Sequence, residues 1–393
     1  MVMTSRLEAL LAPVGISSFF AEYWMQRPLH VTREADISAM PISLTDIEYL
    51  TLSLISPPQG WLTVVRDGTE VNPAGLRGKA GFIDAQRLRE VWAAGCTILL
   101  TNLQRRVPAV SALTRQLEID LLQHGVALSQ PIVANAYATP SKSQGFKPHF
   151  DMHDVLILQI EGRKRWRLYP PREPYPLELR RLSPDELGDP GMEVELSPGD
   201  LLYIPRGHPH DANSLQGASL HLTFSIHVHT WLDLALALLK ASPDFRQGLS
   251  PIPGAAQQGT AWAKELRRRL ARLEIREGTA HTAAKLFRDA RLLASDPVLP
   301  SSSELESRSE LALHSRIRRR YDQHLYLDTD GPMPTLSGFG GRYEGQPAEA
   351  AILAHIAAHP EFILNDLPGT LPATKLRIID ALIARSLLIA DDP

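Results

Sequence analysis

Between about residue 131 and 229 the chain breaks into short apolar runs, Pro131–Ala138, Asp154–Ile160, Arg165–Tyr169, Leu201–Ile204 and Ser219–Ile226, separated by glycine and proline turn signals. Each run is too short for a buried helix and carries the branched or aromatic side chains that suit a pleated surface. Many short strands in so little chain hide their apolar faces only by curling into a barrel or sandwich, here of the double-stranded β-helix kind.

The flanks read differently. Before residue 131, helical periodicity over Leu7–Trp24, Asp84–Ala94 and Val110–His124 alternates with β-like runs such as Trp61–Val65. After Trp231, Ala261–Leu273 and Thr282–Leu293 read as amphipathic helices, and Pro297–Ser303 as a linker. Ala348–Ala358 and Thr374–Ser386 are further expected helices, with Leu364–Leu367 and Leu387–Ala390 as short strands around the second. The fold class expected is therefore α+β.

At 393 residues with 44% hydrophobic content the chain exceeds one ordinary domain. Its 41 basic and 44 acidic residues leave a formal charge of −3, which gives no whole-chain attraction to nucleic acid or anionic membrane. The lone Cys96 lies in an apolar run and reads as a buried structural thiol, in keeping with a reducing compartment. The first residues lack a basic segment followed by a sustained apolar stretch, and no run is long and apolar enough to span a bilayer, so a soluble, cytoplasmic protein is expected.

Chemistry concentrates in the strand-rich zone. Residues two apart on a strand share a face, so His149 and Asp151 can offer an imidazole nitrogen and a carboxylate oxygen to one metal, with Phe150 turned away. A third ligand is available after the turns Pro198–Asp200 and Pro205–Gly207, from His210 or His208. Two imidazoles and one carboxylate make the facial triad that leaves three positions open on octahedral Fe(II). His153, two residues beyond Asp151, reads as a polar wall facing solvent or substrate.

These residues stand in an order that resembles the JmjC-type cupin oxygenases, a family that includes the ribosomal oxygenases. The resemblance covers roughly 130 to 235 through Asn135–Tyr137, Ser143–Phe146, the His149 and Asp151 pair, Leu158–Tyr169, Pro198–Gly207 and Ser219–Thr223. It implies a catalytic domain over 1–230, a helical dimerisation region over 231–330 and a winged-helix-like domain over 331–393. It selects His210 as the distal iron ligand, with His208 as its neighbour in a supporting place. It also places the basic anchor for the distal carboxylate of 2-oxoglutarate at Lys164, and turns Tyr137 and Asn135 into the co-substrate pocket. Alternation agrees for Lys164, Trp166 and Leu168, which share one strand face, while Arg163, Arg165 and Arg167 share the other. Thr223 and His221 are weaker candidates, and no catalytic side chain beyond the metal site is required.

What the resemblance implies is an Fe(II)- and 2-oxoglutarate-dependent dioxygenase that consumes O₂, releases succinate and CO₂, and hydroxylates a side chain, the β-carbon of histidine or arginine in a ribosomal protein. It also implies a homodimer. A hydroxylase of a biosynthetic precursor peptide and a non-catalytic cupin interaction module are the alternatives. From Pro347 onward acidic residues outnumber Lys375, Arg377 and Arg385, so direct DNA binding is not expected of the tail. The basic runs Arg316–Tyr321 and Arg267–Arg269 read as solvated helix faces.

Overall fold

The computed structural model describes residues 5–33, 40–54, 60–79, 81–249, 255–273, 277–295, 311–320, 323–369 and 371–391. The Pro297–Ser303 linker lies outside them. They divide into two compact units, one running up to Val126 and again from Pro131 to His227, the other made of Ala127–Gln130 and the residues from Val228 onward.

The first unit contains β1 (Leu29–Val31), β2 (Leu62–Arg66), β3 (Thr69–Val71), β4 (Thr97–Leu100), β5 (Val133–Thr139), β6 (His149–Phe150), β7 (Asp154–Glu161), β8 (Lys164–Leu168), β9 (Arg180–Arg181), β10 (Met192–Leu196), β11 (Leu201–Ile204), β12 (His210–Ser214) and β13 (Ser219–Ile226). They form an eight-stranded sheet in the order β1-β11-β7-β13-β5-β4-β2-β3 and a five-stranded sheet in the order β10-β8-β12-β6-β9. The registered pairs are antiparallel, so the two sheets of the jelly roll enclose side chains that alternate inward and outward. Val155, Ile157, Trp166, Leu168, Leu196, Leu202 and Ile204 make one buried cluster between them. On β8 the alternation is plain: Lys164, Trp166 and Leu168 are buried, whereas Arg165 is exposed and pairs with Glu195.

The Leu7–Trp24 stretch is not one helix. It runs as Arg6–Leu11, stops at Pro13, and resumes from Ile16 to Tyr23 after Gly15 adopts a positive φ of 79°. Proline supplies no N–H to continue the first segment, and glycine tolerates the left-handed turn that restarts the second. Helix Pro108–Gln123, with proline at its first position, buries Val110, Leu117, Ile119 and Leu121 and carries Glu118, whose carboxylate accepts from the Ile132 N–H at 2.7 Å just ahead of β5.

The second unit holds the helices Trp231–Ala241, Ala255–Ala271, Glu277–Leu293, Ala350–Ala358 and Pro372–Ile383, and β14 (Arg316–Arg319), β15 (Tyr326–Asp328), β16 (Thr335–Gly338), β17 (Gly341–Glu344), β18 (Glu361–Ile363) and β19 (Leu388–Ala390). Two expectations fail here. The basic run from Arg316 is a strand, central between β18 and β19, because Ile317 is buried while Arg316 and Arg318 reach out to Glu361 and Asp391. Leu364–Asp366 is a tight helical turn, and the strand sits just before it at Glu361–Ile363. The core of this unit gathers Ile317, Leu336, Leu353, Ile356, Ile378, Ile379 and Leu382. Among the described residues no helix is long and apolar enough to cross a membrane.

Candidate metal centre

β12 returns beside β6 with His210 directly opposite His149. Asp151 follows β6 by one residue, and one ligand atom from each of His149, Asp151 and His210 lies within 4.8 Å of the others. The His210 Nε2 to Asp151 Oδ2 distance is 3.8 Å, and the two imidazole rings have centroids 4.6 Å apart. Each ring is oriented by the same local device. His149 Nδ1 is 2.9 Å from the Lys147 carbonyl, and His210 Nδ1 is 3.0 Å from the His208 carbonyl. A carbonyl only accepts, so Nδ1 carries the proton in both rings and Nε2 keeps its lone pair for a metal. Burial lowers the His210 pKa to about 4, which keeps the ring neutral. Burial alone raises the Asp151 carboxyl, but His210, His149, His153 and His227 outweigh it and hold the group below its usual value. This donor set suits a divalent ion of the iron type. His208 stands outside the cluster, its Nδ1 buried without a hydrogen-bond partner among the described residues.

The triad opens into a cavity of about 290 Å³. Lys164, Tyr137 and Asn135 all line it, with His221 and Thr223. Lys164 Nζ donates to Thr139 Oγ1 at 3.1 Å and sits 3.5 Å from His221 Nδ1, and it forms no ion pair among the described residues. Burial lowers its pKa to about 7. Its charged form, beside a hydroxyl, an imidazole and the Trp166 ring at 6.0 Å, suits an anion in the same cavity. The Tyr137 ring stacks on His221 at 4.8 Å, and burial followed by the Asp151 charge pushes its hydroxyl pKa upward, so it stays a donor. Asn135 Oδ1 accepts from the Asn102 N–H at 3.2 Å, which leaves its NH₂ as the free end of the amide.

Sequence reasoning ranked His221 and Thr223 as weaker candidates and read His153 as a polar wall, but did not single out Ser225. β13 turns His221, Thr223 and Ser225 into the cavity at alternate positions, and the run Ser219–Ile226 carries that period-two signal. His153 also lines the cavity, stacked on His227 with centroids 4.4 Å apart. The lining also includes Lys147, Leu179 and Arg181. Asp211, beside His210, is bound by Arg167 Nε at 3.0 Å.

A JmjC-domain family model matches residues 112–234, the stretch that carries the triad, the buried lysine and β13. Over that stretch the chain is similar to the JmjC domain. Ribosomal oxygenase 2 of Rattus norvegicus is 35% identical over 244 residues, which is 59% of this chain and 50% of that protein. The Aedes aegypti protein named bifunctional lysine-specific demethylase and histidyl-hydroxylase NO66 is 33% identical over 242 residues, 57% of this chain and 35% of that one. The chain thus spans half or less of the length of these curated relatives. In structure, the Escherichia coli ribosomal oxygenase YcfD in complex with cobalt and 2-oxoglutarate superposes with a TM-score of 0.56 at 18% identity, covering 96% of this chain and 98% of that one. That likeness establishes the fold alone, and the residues matched by the JmjC-domain model carry β5 to β13 of the first unit's jelly roll.

Proposed function

We propose that this chain is an Fe(II)- and 2-oxoglutarate-dependent oxygenase that hydroxylates a side chain of a ribosomal protein, with histidine favoured over arginine as the target. The observation that carries the reading is the buried Lys164, without an ion pair among the described residues, lining the same cavity as the His149, Asp151 and His210 cluster. A metal site alone fits many proteins, but a metal site joined to a buried cation suits a dicarboxylate co-substrate chelated at one end and charge-paired at the other. The relatives named ribosomal oxygenase and histidyl-hydroxylase support the same class.

A ferrous ion held by the triad supplies, with 2-oxoglutarate and O₂, the oxidising power to hydroxylate a C–H bond while succinate and CO₂ are released. The protein's residues bind and orient. Lys164 and the Tyr137 hydroxyl hold the distal carboxylate, His149 and His210 present Nε2, and Asp151 supplies the anionic ligand. Thr223, Ser225 and His153 offer neutral polar groups to the incoming side chain.

Histidine is favoured by the charges left in the cavity. The carboxylates among its lining residues are Asp151, a metal ligand, and Asp211, already bound by Arg167. A guanidinium would enter without a counter-ion, whereas a neutral imidazole needs only hydrogen-bonding partners. The helix Trp231–Ala241 supports a homodimer, because it exposes Trp231, at 86%, together with Leu232 and Leu236, which lie one turn apart.

Mass spectrometry of ribosomal proteins from cells with and without the gene tests the substrate. A one-oxygen mass increase on a histidine peptide, present only with the gene, is expected. An unchanged ribosome alongside a modified small peptide would transfer the activity to precursor-peptide maturation.

A further inference from the structure

The cavity mouth carries two cations that the proposed chemistry does not use. β9 is the edge strand of the five-stranded sheet, and Arg181 stands directly opposite the ligand His149. The Leu182 N–H donates to the Pro148 carbonyl at 2.9 Å, one step outside that pair. This makes His149 and Arg181 a non-hydrogen-bonded pair, the type in which side chains stand closest, on one face. It also turns the Arg181 main-chain N–H and C=O outward along the open edge of the sheet.

Lys147 lies two residues before His149, lines the same cavity, and lays its stem across Gly68, where a β-carbon would stand 2.5 Å from Lys147 Cγ. Gly68, at φ +76°, leaves room for that crossing. Neither Arg181 nor Lys147 has an ion-pair partner among the described residues. Three neighbouring charges are matched, Arg180 by Glu186, Arg167 by Asp211, and Asp67, beside Gly68, by Arg66 at 3.7 Å, while Glu178 forms no ion pair among the described residues. Leu179, 54% exposed, adds an apolar contact at the same rim.

We infer that the mouth is built for an extended peptide that pairs along the open edge of β9 and carries an acidic side chain, next to the oxidised residue, against Arg181 and Lys147. The inference rests on the hydroxylase reading and gives its substrate a charge signature. An extended segment matches the outward Arg181 backbone, and alternate side chains of such a segment fall on the metal's face. A polynucleotide fits less well, because two cations hemmed in by neutralised pairs and a leucine do not form the phosphate-spaced track that nucleic acid requires.

Binding to the full chain is measured by fluorescence anisotropy with labelled peptide pools that hold a central histidine and carry Asp, Ala or Lys at each neighbouring position. Wild type is expected to bind the best Asp-flanked pool about tenfold more tightly than its Lys counterpart. Arg181→Glu should reverse that order, Arg181→Lys should keep it, and Lys147→Glu should weaken it. Gain of binding to Lys-flanked peptides in Arg181→Glu also shows that the variant is folded. Affinity indifferent to flanking charge overturns the inference, as does a short single-stranded RNA that binds more tightly than every peptide and displaces them. Product analysis with iron, 2-oxoglutarate and O₂ separates the two readings. Oxidation blind to flanking charge sinks the docking surface and leaves the hydroxylase standing, while charge-selective binding with no oxidation of any peptide does the reverse.

Discussion

His149 and His210 each tie Nδ1 to the carbonyl two residues behind, so the tautomer that exposes Nε2 is set by the strand's own main chain. His208 contributes to this arrangement through its carbonyl, which accepts from His210 Nδ1–H. His210→Ala is therefore expected to lower Co(II) or Mn(II) affinity by about 100-fold or more, and His208→Ala to leave it within a few-fold, as read by calorimetric titration. Equal losses would remove His210 from the metal. Lys164 makes a second, pH-dependent prediction. Its folded pKa of about 7 lies below the ordinary 10.5, so the free pocket is charged below pH 7 and neutral above it. The carboxylate needs the charged form, so above pH 7 binding must take up a proton, and 2-oxoglutarate affinity should fall by up to about tenfold per pH unit. A flat profile from pH 6 to 9 would contradict this. The unfolded chain holds more protons than the folded one between about pH 7 and 10.5, so Lys164 makes stability rise with pH across that window. Lys164→Met should accordingly raise the melting temperature at pH 7 or below while abolishing co-substrate binding. Period-two spacing pairs His149 with Asp151 in the sequence, whereas His210 and Lys164 were singled out by the family resemblance. Arg181 was not, since only the β6 and β9 register sets it opposite His149.

At the scale of the element, the short turn between β7 and β8 decides where Lys164 points. Gly162 has φ +64°, and a β-carbon there would come within 1.9 Å of the Ala218 carbonyl oxygen, against main chain that has no room to yield. Gly162→Ala is expected to cost about 3 kcal/mol or more in urea denaturation, well beyond an ordinary exposed-turn substitution. An unchanged midpoint would mean that the turn relaxes freely. The longer strands were readable from their apolar runs: Leu201–Ile204 and Ser219–Ile226 are strands over those residues, and Asp154–Ile160 extends by one. β6 and β9 are two residues each and leave no periodic signal, so they exist only through their partners. The same physics undid the basic run at Arg316. A buried Ile317 between arginines fits a strand as well as a helix, and the neighbouring strands decide.

For the whole molecule, the division into two units places the metal chemistry in the first and the exposed apolar helix in the second. The double substitution Trp231→Glu and Leu236→Glu is expected to halve the mass seen by sedimentation equilibrium, because Trp231, Leu232 and Leu236 need a partner to leave water. An unaltered mass would place any dimer contact elsewhere. Within the second unit, helix Glu277–Leu293 meets β16 and β17 far along the chain, a contact with no local signal in the sequence. One pairing in the first unit reaches beyond ligand geometry. β6 touches β12 through the single registered pair His149 and His210, and β9 hangs on β6 in turn. A cation gripped by both histidines acts as a rivet through that seam. Amide exchange over 147–151 and 180–182 should slow when Mn(II) is added, and loading the ion first should then pre-stiffen the rim that a peptide meets, making arrival of metal and of substrate an ordered sequence.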